Sequence, residues 1–257
     1  MNDLGLTVRQ VRYTNKAFWR NPAAVGFTFA FPLVFLVIFT AIFGNTTTRI
    51  LGEKVNTSTF YVASISALSV ITACFTNIGI SVATQREEGV LKRLRGTPLP
   101  AWAYLVGRVI HATLVAVLLV AIVIAFGGIF YHADVPTRTL PALLAGLAVG
   151  AGTFTALGLA VTAIIPNVDA APPITNFIIL PLYFISGYFV PPEQIPSWMT
   201  AIAKVFPLRH FLTVSSAAFF TPPGHSPWQL GDLMVLGAWG VGGLLVAARF
   251  FSWEPRR

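Results

Sequence analysis

One polar stretch decides how this sequence is interpreted. Residues 85–100 read QREEGVLKRLRGTPLP and form the only dense charge cluster of the chain. Long apolar runs flank the stretch at residues 60–83 and 101–130. A helix needs roughly 20 apolar residues to cross about 30 Å of hydrocarbon. The stretch is therefore predicted to connect two membrane-spanning helices.

The composition supports the same interpretation. The chain has 257 residues, of which 55% are hydrophobic and only 10% charged, whereas a soluble domain carries about 25% charged residues. The predicted fold class is an all-α integral membrane protein. The single cysteine, Cys74, lies inside an apolar run and belongs to no metal-ligand spacing, so no metal site is expected.

Six apolar runs predict six transmembrane helices in one domain that covers residues 1–257. The predicted spans are residues 23–43, 60–83, 101–130, 140–165, 174–190 and 230–251. The intervening residues 44–59 are predicted to form a polar loop. In span 4, Gly146, Gly150 and Gly152 are expected to permit close approach of another helix.

Two further segments are predicted to lie at the membrane surface or partly inside it. Residues 1–22 carry basic side chains at helical spacing, which is typical of an amphipathic interfacial helix; a disordered basic arm is the alternative. Residues 191–228 are too apolar for an ordinary loop, but their prolines exclude a continuous span. We expect two short re-entrant helices there, on the extracellular side.

The basic residues assign the sidedness of the chain. Four of the 17 Lys and Arg residues precede span 1, five lie between residues 84 and 108, and three follow Ala248. The other side of the predicted topology carries five, at positions 49, 54, 138, 204 and 209. By the positive-inside rule, both termini and the stretch 84–100 are cytoplasmic in a plasma or inner membrane. Membrane lipids, rather than nucleic acid, then account for the net charge of +8.

The charged stretch has the signals of a short helix with its own ends. Thr84 and Glu87 match a capping box, which predicts a helix start at Thr84. Gly96 and Pro98 predict the helix end. The segment 84–100 is either a connector at the lipid headgroups or a docking element for a cytoplasmic partner.

Residues 86–99 resemble the E-x-G-x-L-x-x-L-x-x-T-P-L pattern of ABC-2 type transporter permeases. The later residues 187–191, 195–198 and 206–208 also resemble the pattern that precedes the last span of that family. The resemblance covers nearly the whole chain and is greatest to the multidrug and antibiotic-resistance exporters. It implies a dimer of permeases, either a homodimer or a pair with a sister permease, and two ATPase subunits on the cytoplasmic side.

The same resemblance assigns roles to residues. The segment after span 2 would be the coupling helix, the turn after span 4 a second contact, and the substrate would pass between spans 2 and 5 of the two protomers. The implied ATPase contacts in the coupling helix are Gln85, Arg86, Glu87, Glu88, Gly89, Lys92, Arg93 and Arg95. The second contact would comprise Asn167 and Asp169. The candidate pathway residues are Phe75, Thr76, Asn77, Asn176, Phe177, Tyr183 and Phe184, for which helix packing or lipid contact is the alternative.

The chain has no Gly-x-x-x-x-Gly-Lys-[Ser/Thr] phosphate loop. We therefore expect no enzyme activity and no cofactor of its own, with ATP and Mg on a separate ATPase subunit. Ionisable residues are scarce within the spans; Arg108 and His111 are expected to reach the inner interface. The predicted function is export of hydrophobic or amphiphilic compounds. The alternatives are a glycan exporter of the same mechanism and a stand-alone ion-coupled transporter.

Overall fold

The architecture was analysed in a computed structural model, which describes residues 3–43, 46–50, 53–96, 100–191, 194–221 and 226–250. Residues 97–99 of the charged stretch, Pro192, Pro222, Pro223 and the C-terminal Arg256 and Arg257 lie outside the described residues. The side chains of Arg49, Lys54 and Arg95 also lie outside the description.

The described chain folds mainly into α-helices, as predicted. The helices are α1 (Asp3–Trp19), α2 (Pro22–Phe43), α3 (Thr57–Ile71), α4 (Asn77–Glu87), α5 (Val90–Arg95), α6 (Ala101–Tyr131), α7 (Leu140–Val161), α8 (Ala171–Ser186), α9 (Ser197–Ala203), α10 (Pro207–Phe219) and α11 (Leu230–Phe250). A π-helical turn at Thr72–Thr76 joins α3 to α4, so that both form one continuous rod.

This rod forms the centre of the bundle. Every residue of α3 is buried, including the polar Ser64, Ser66 and Ser69. Helices α2, α6, α7 and α10 pack around it. A helix that is buried on all sides has no amphipathic stripe, and small side chains in α3 allow its neighbours to approach closely.

Five of the described helical segments are long and apolar enough to cross a membrane. They are Pro22–Phe43, Thr57–Glu87, Trp102–Tyr131, Leu140–Val161 and Leu230–Phe250. The helix at the position of the predicted fifth span, α8, is also apolar but has only 16 residues.

Residues 44–59, predicted as a loop, contain a two-stranded hairpin. Strand β1 (Thr47–Ile50) pairs antiparallel with β2 (Glu53–Asn56), with Thr48 opposite Val55. Threonine, isoleucine and valine favour extended backbone, a signal that the loop prediction overlooked. Asn56 then caps α3 by accepting a hydrogen bond from the Ser58 N–H.

The segment before α11 contains two short helices, α9 and α10, and α10 is buried on most of its surface. Phe211 and Val214 of α10 lie directly over Gly150 and Gly146 of α7. The small residues of α7 thus admit α10. Gly152 does not serve this purpose, because nothing lies within 4 Å of where its side chain would start.

Candidate functional site

The charged stretch does not form the single helix that the sequence predicts. Thr84 lies inside α4, where its hydroxyl donates to the carbonyl of Ile80 at 3.0 Å, so it caps nothing. Helix α4 continues to Glu87, and Gly89 adopts the left-handed φ of 70° before α5 begins at Val90. Glycine enters this conformation without the steric cost of a side chain. The capping-box prediction was wrong because the same spacing also occurs inside helices.

Arg86 faces the interior of the bundle. Its side chain is buried, and its guanidinium donates to the carbonyls of Thr162 at 3.1 Å, Ile165 at 2.5 Å and Pro166 at 3.4 Å. These carbonyls belong to the C-terminal end of α7 and the turn after it. A cation there satisfies the last carbonyls of the helix and complements its dipole. Arg86 therefore holds span 2 to span 4 and is not exposed to a partner.

Glu87 makes a second link to the same turn. Its Oε2 accepts a hydrogen bond from the Val168 N–H at 2.7 Å. Within the turn, Asn167 Oδ1 accepts from the Ala170 N–H at 2.9 Å, and Asp169 is exposed. The structure thus brings together the two segments that the sequence analysis assigned separately to cytoplasmic contacts. Arg86 and Glu87 clamp the end of α4 to residues 162–168.

A buried polar chain connects α4 to α6. Tyr104 donates to Gln85 Oε1 at 3.2 Å and accepts from Arg108 Nε at 3.2 Å, while Arg108 Nη1 donates to Ser81 at 3.0 Å. Arg108 and His111 are 3% and 6% exposed. Both residues therefore turn inward, and the expectation that they reach the interface was wrong. Tyr104 was missed, although its spacing of four residues from Arg108 places both on one helix face.

The exposed part of the stretch is smaller than the predicted contact set. Glu87, Glu88, Lys92 and Arg93 are exposed, whereas Leu91 is fully buried. Arg93 also reaches back to the carbonyl of Glu88 at 3.4 Å. Asp169 directly follows Val168 of the clamped turn. Together with it, these side chains give the site both positive and negative charges.

The candidate pathway residues divide into two groups. Tyr183 is buried, and its hydroxyl lies 3.4 Å from both the Leu68 carbonyl and Thr72 Oγ1. Asn77 donates to Thr28 of α2 at 3.2 Å. Phe75 is buried and Thr76 is half-buried, both in the π-helical turn. By contrast, Asn176, Phe177 and Phe184 share the exposed face of α8, where Phe177 is 82% exposed.

The π-helical turn was not predicted from the sequence. It lies where α7 crosses at Gly158, and a side chain on Gly158 would start 2.8 Å from the Phe75 carbonyl oxygen and 2.9 Å from that of Cys74. Single π-helical turns within α-helices are rare and frequently occur at functional sites. Its position beside Tyr183 makes it the point where spans 2, 4 and α8 meet.

Comparison with known proteins identifies the family. The model of the ABC-2 type transporter family matches residues 7–220. YvfS of Bacillus subtilis (strain 168), named as a transport permease, is 27% identical over 223 residues, or 86% of each chain. The daunorubicin resistance ABC transporter permease protein DrrB1 of Streptomyces coeruleorubidus is 27% identical over 213 residues, which cover 80% of this chain and 71% of DrrB1.

A third relative is longer. YbhR of Escherichia coli (strain K12), named as a multidrug ABC transporter permease, is 27% identical over 161 residues; these cover 62% of this chain but only 43% of YbhR. The family match spans most of the chain, including the charged stretch, the clamped turn and α8. Together with the apolar helices, it shows that this multi-pass membrane protein belongs to the ABC-2 type transporter family of permeases.

Proposed function

We propose that this chain is the membrane-spanning subunit of an ATP-driven exporter and that a separate ATPase subunit binds its cytoplasmic end. Family membership and the permease names of the relatives support this proposal. The lack of a phosphate loop in the sequence agrees with ATP and Mg being held by the partner.

The observation that carries the proposal is the clamp between α4 and the turn after α7. Arg86 and Glu87 fix residues 162–168 to the helix that leads into α5. A partner that pushes on α5 or on this turn therefore moves spans 2 and 4 together. The exposed Glu88, Lys92, Arg93 and Asp169 supply the charges for contact. ATP binding would then shift the permease between inward-open and outward-open states through differential contacts.

The proposal includes six spans, with α8 as the fifth. Sixteen residues extend about 24 Å at 1.5 Å per residue, and residues 187–190 follow before the re-entrant segment. Six spans place both termini on one side, and the distribution of basic residues makes that side the cytoplasm. The chain would lie in the cell membrane.

We propose further that two permease protomers meet at the exposed face of α8. Asn176 on this face is polar, and a lipid-facing helix rarely carries an unpaired amide. Phe177 and Phe184 beside it offer aromatic surface for hydrophobic or amphiphilic cargo. The drug-resistance names of YbhR and DrrB1 favour such compounds as the substrates.

Co-purification tests the proposal. The tagged chain, co-expressed with its ABC ATPase and solubilised in mild detergent, is expected to retain that ATPase. Glu88→Arg is expected to keep the complex assembled but to abolish export that depends on ATP hydrolysis. Arg249→Gln, at the exposed end of α11, serves as the control. A chain that transports without ATP, or a Glu88→Arg complex with normal coupled turnover, would contradict the proposal.

A further inference from the structure

A cavity of about 380 Å³ lies between α1, α4 and α6, and of the candidate pathway residues only Asn77 is among its lining residues. Thr14 and Phe18 of α1 line one wall, and Asn77 and Ser81 of α4 line another. The third wall belongs to α6, which contributes Arg108 and His111. No described residue of α8 lines this cavity, so it is separate from the face where the two protomers are proposed to meet.

Two residues that line this cavity each carry a buried nitrogen atom without a hydrogen-bond partner in the described part of the chain. Arg108 Nη2 and His111 Nδ1 have no hydrogen-bond partner within the described part of the chain, although both side chains are more than nine-tenths buried. A buried donor without a partner costs about 1–3 kcal/mol, and more for a charged group. Nε and Nη1 of Arg108 are held by Tyr104 and Ser81, which leaves Nη2 as the unsatisfied end of the guanidinium.

The unused donor of Arg108 favours an anion at one end of the cavity. Guanidinium groups bind phosphate oxygens through charge-assisted hydrogen bonds, and a neutral imidazole adds a further donor when Nδ1 carries the proton. Glu88 also lines the cavity, at the end of α4. The Glu88 carboxylate disfavours binding of two anions in the cavity. It could accept a hydrogen bond from a donor group that is attached to the bound anion.

The position of the cavity favours a lipid as the source of the phosphate. Helix α1, which closes one side, carries its basic side chains Arg12 and Lys16 exposed. Its Trp19, 47% exposed, stacks on Phe29 of α2 at 5.8 Å. Exposed cations with a neighbouring indole are typical of a helix at the membrane interface. Phe18 contacts the His111 ring edge-on at 5.6 Å and so separates the donors from that surface.

We propose that this cavity binds the phosphodiester headgroup of one phospholipid from the leaflet on which α1 lies. In the bound state, small rotations of the side chains bring Arg108 Nη2 and His111 Nδ1, which have almost no accessible surface here, to the phosphate oxygens, and the acyl chains extend into the bilayer. The bound headgroup fastens α1 to α6, the span that follows α5. This site does not depend on the ATPase partner, because lipid binding requires only the permease.

Native mass spectrometry of the purified full chain in detergent tests the site, with phosphatidylethanolamine and phosphatidylglycerol added separately. The wild type is expected to retain one phospholipid. The double variant Arg108→Gln/His111→Phe is expected to bind the phospholipid at least about tenfold more weakly, because a charge-assisted hydrogen bond is lost. Ala24→Phe, which fills the cavity from a half-exposed position on α2, is expected to have the same effect.

Three controls make the result decisive. Arg249→Gln, an exposed cation elsewhere on the chain, is expected to bind lipid like the wild type. Thermal unfolding shows whether each variant is folded, and Ala24→Phe remains informative if the double variant is not. Inorganic phosphate and glycerol 3-phosphate are tested in parallel. Equal lipid retention by wild type and Ala24→Phe would overturn the proposal, as would saturable binding of inorganic phosphate that added lipid does not displace.

Discussion

Arg86 Nη2 donates a hydrogen bond to the carbonyl oxygen of Ile165 over 2.5 Å, and thereby joins the ends of spans 2 and 4. Glu87, the next residue, accepts from Val168 in the same turn. Two adjacent side chains of opposite charge thus hold one turn. The Arg86 cation donates to its carbonyl groups, and the Glu87 carboxylate accepts from one of its N–H groups. Arg86 and Glu87 were predicted to contact the ATPase. In the structure they instead hold α4 against the turn after α7.

Removal of the Arg86 guanidinium is expected to loosen this junction. Arg86→Met leaves the buried carbonyls of Thr162 and Ile165 without their donor, at a cost of about 1–3 kcal/mol in the free energy of unfolding. The thermal midpoint in detergent should fall by about 2–4 °C for each kcal/mol. Arg93→Met, at an exposed position, should change the free energy by no more than about 0.5 kcal/mol. Equal thermal midpoints for the two variants would show that the Arg86 hydrogen bonds do not stabilise the fold.

The contact between Gly158 and the π-helical turn is expected to tolerate no side chain. Gly158→Ala would place a methyl group less than 3 Å from two backbone oxygens, and such overpacking costs about 1–3 kcal/mol. Gly152→Ala on the same helix has open space and should stabilise by up to about 1 kcal/mol through helix propensity. Thermal unfolding of both variants measures the difference. A stabilising Gly158→Ala would mean that the turn and α7 are not in this contact.

The proposed dimer predicts a specific cross-link. In a Cys74→Ala background, Phe177→Cys on the exposed face of α8 should form a disulfide between protomers under mild oxidation. Val241→Cys on α11, also exposed, is the matched control and should remain monomeric on a non-reducing gel. A cross-link at position 241 with none at position 177 would move the protomer interface to α11.

The sequence was sufficient for the features that depend on apolar length. Runs of apolar residues predicted helices at the positions of α2, α6, α7 and α11, because hydrocarbon thickness imposes a minimum length. The prolines before α11 likewise predicted short helices there, and the structure contains α9 and α10.

Features that depend on tertiary partners were not predictable in the same way. Thr84 and Glu87 fit a capping box, but the Val168 N–H attracts Glu87 and the helix continues past Thr84. Arg108 was expected to reach water, whereas Ser81 and Tyr104 satisfy it inside the bundle. The carbonyls of the π-helical turn pack against Gly158, which lies far along the chain from them. Local spacing cannot identify such partners.

The most direct test of the account concerns Gly89, the left-handed residue between α4 and α5. Gly89→Ala meets no neighbouring atom within 4 Å but must adopt φ of 70°, which costs about 1–2 kcal/mol and would redirect α5. Gly96→Ala, at φ of −79°, keeps the backbone and serves as the control. In proteoliposomes with the ATPase bound, the account predicts that Gly89→Ala hydrolyses ATP with little export while Gly96→Ala behaves like the wild type. Equal export per ATP hydrolysed in both variants would contradict the proposal that the α4–α5 segment couples ATP hydrolysis to transport.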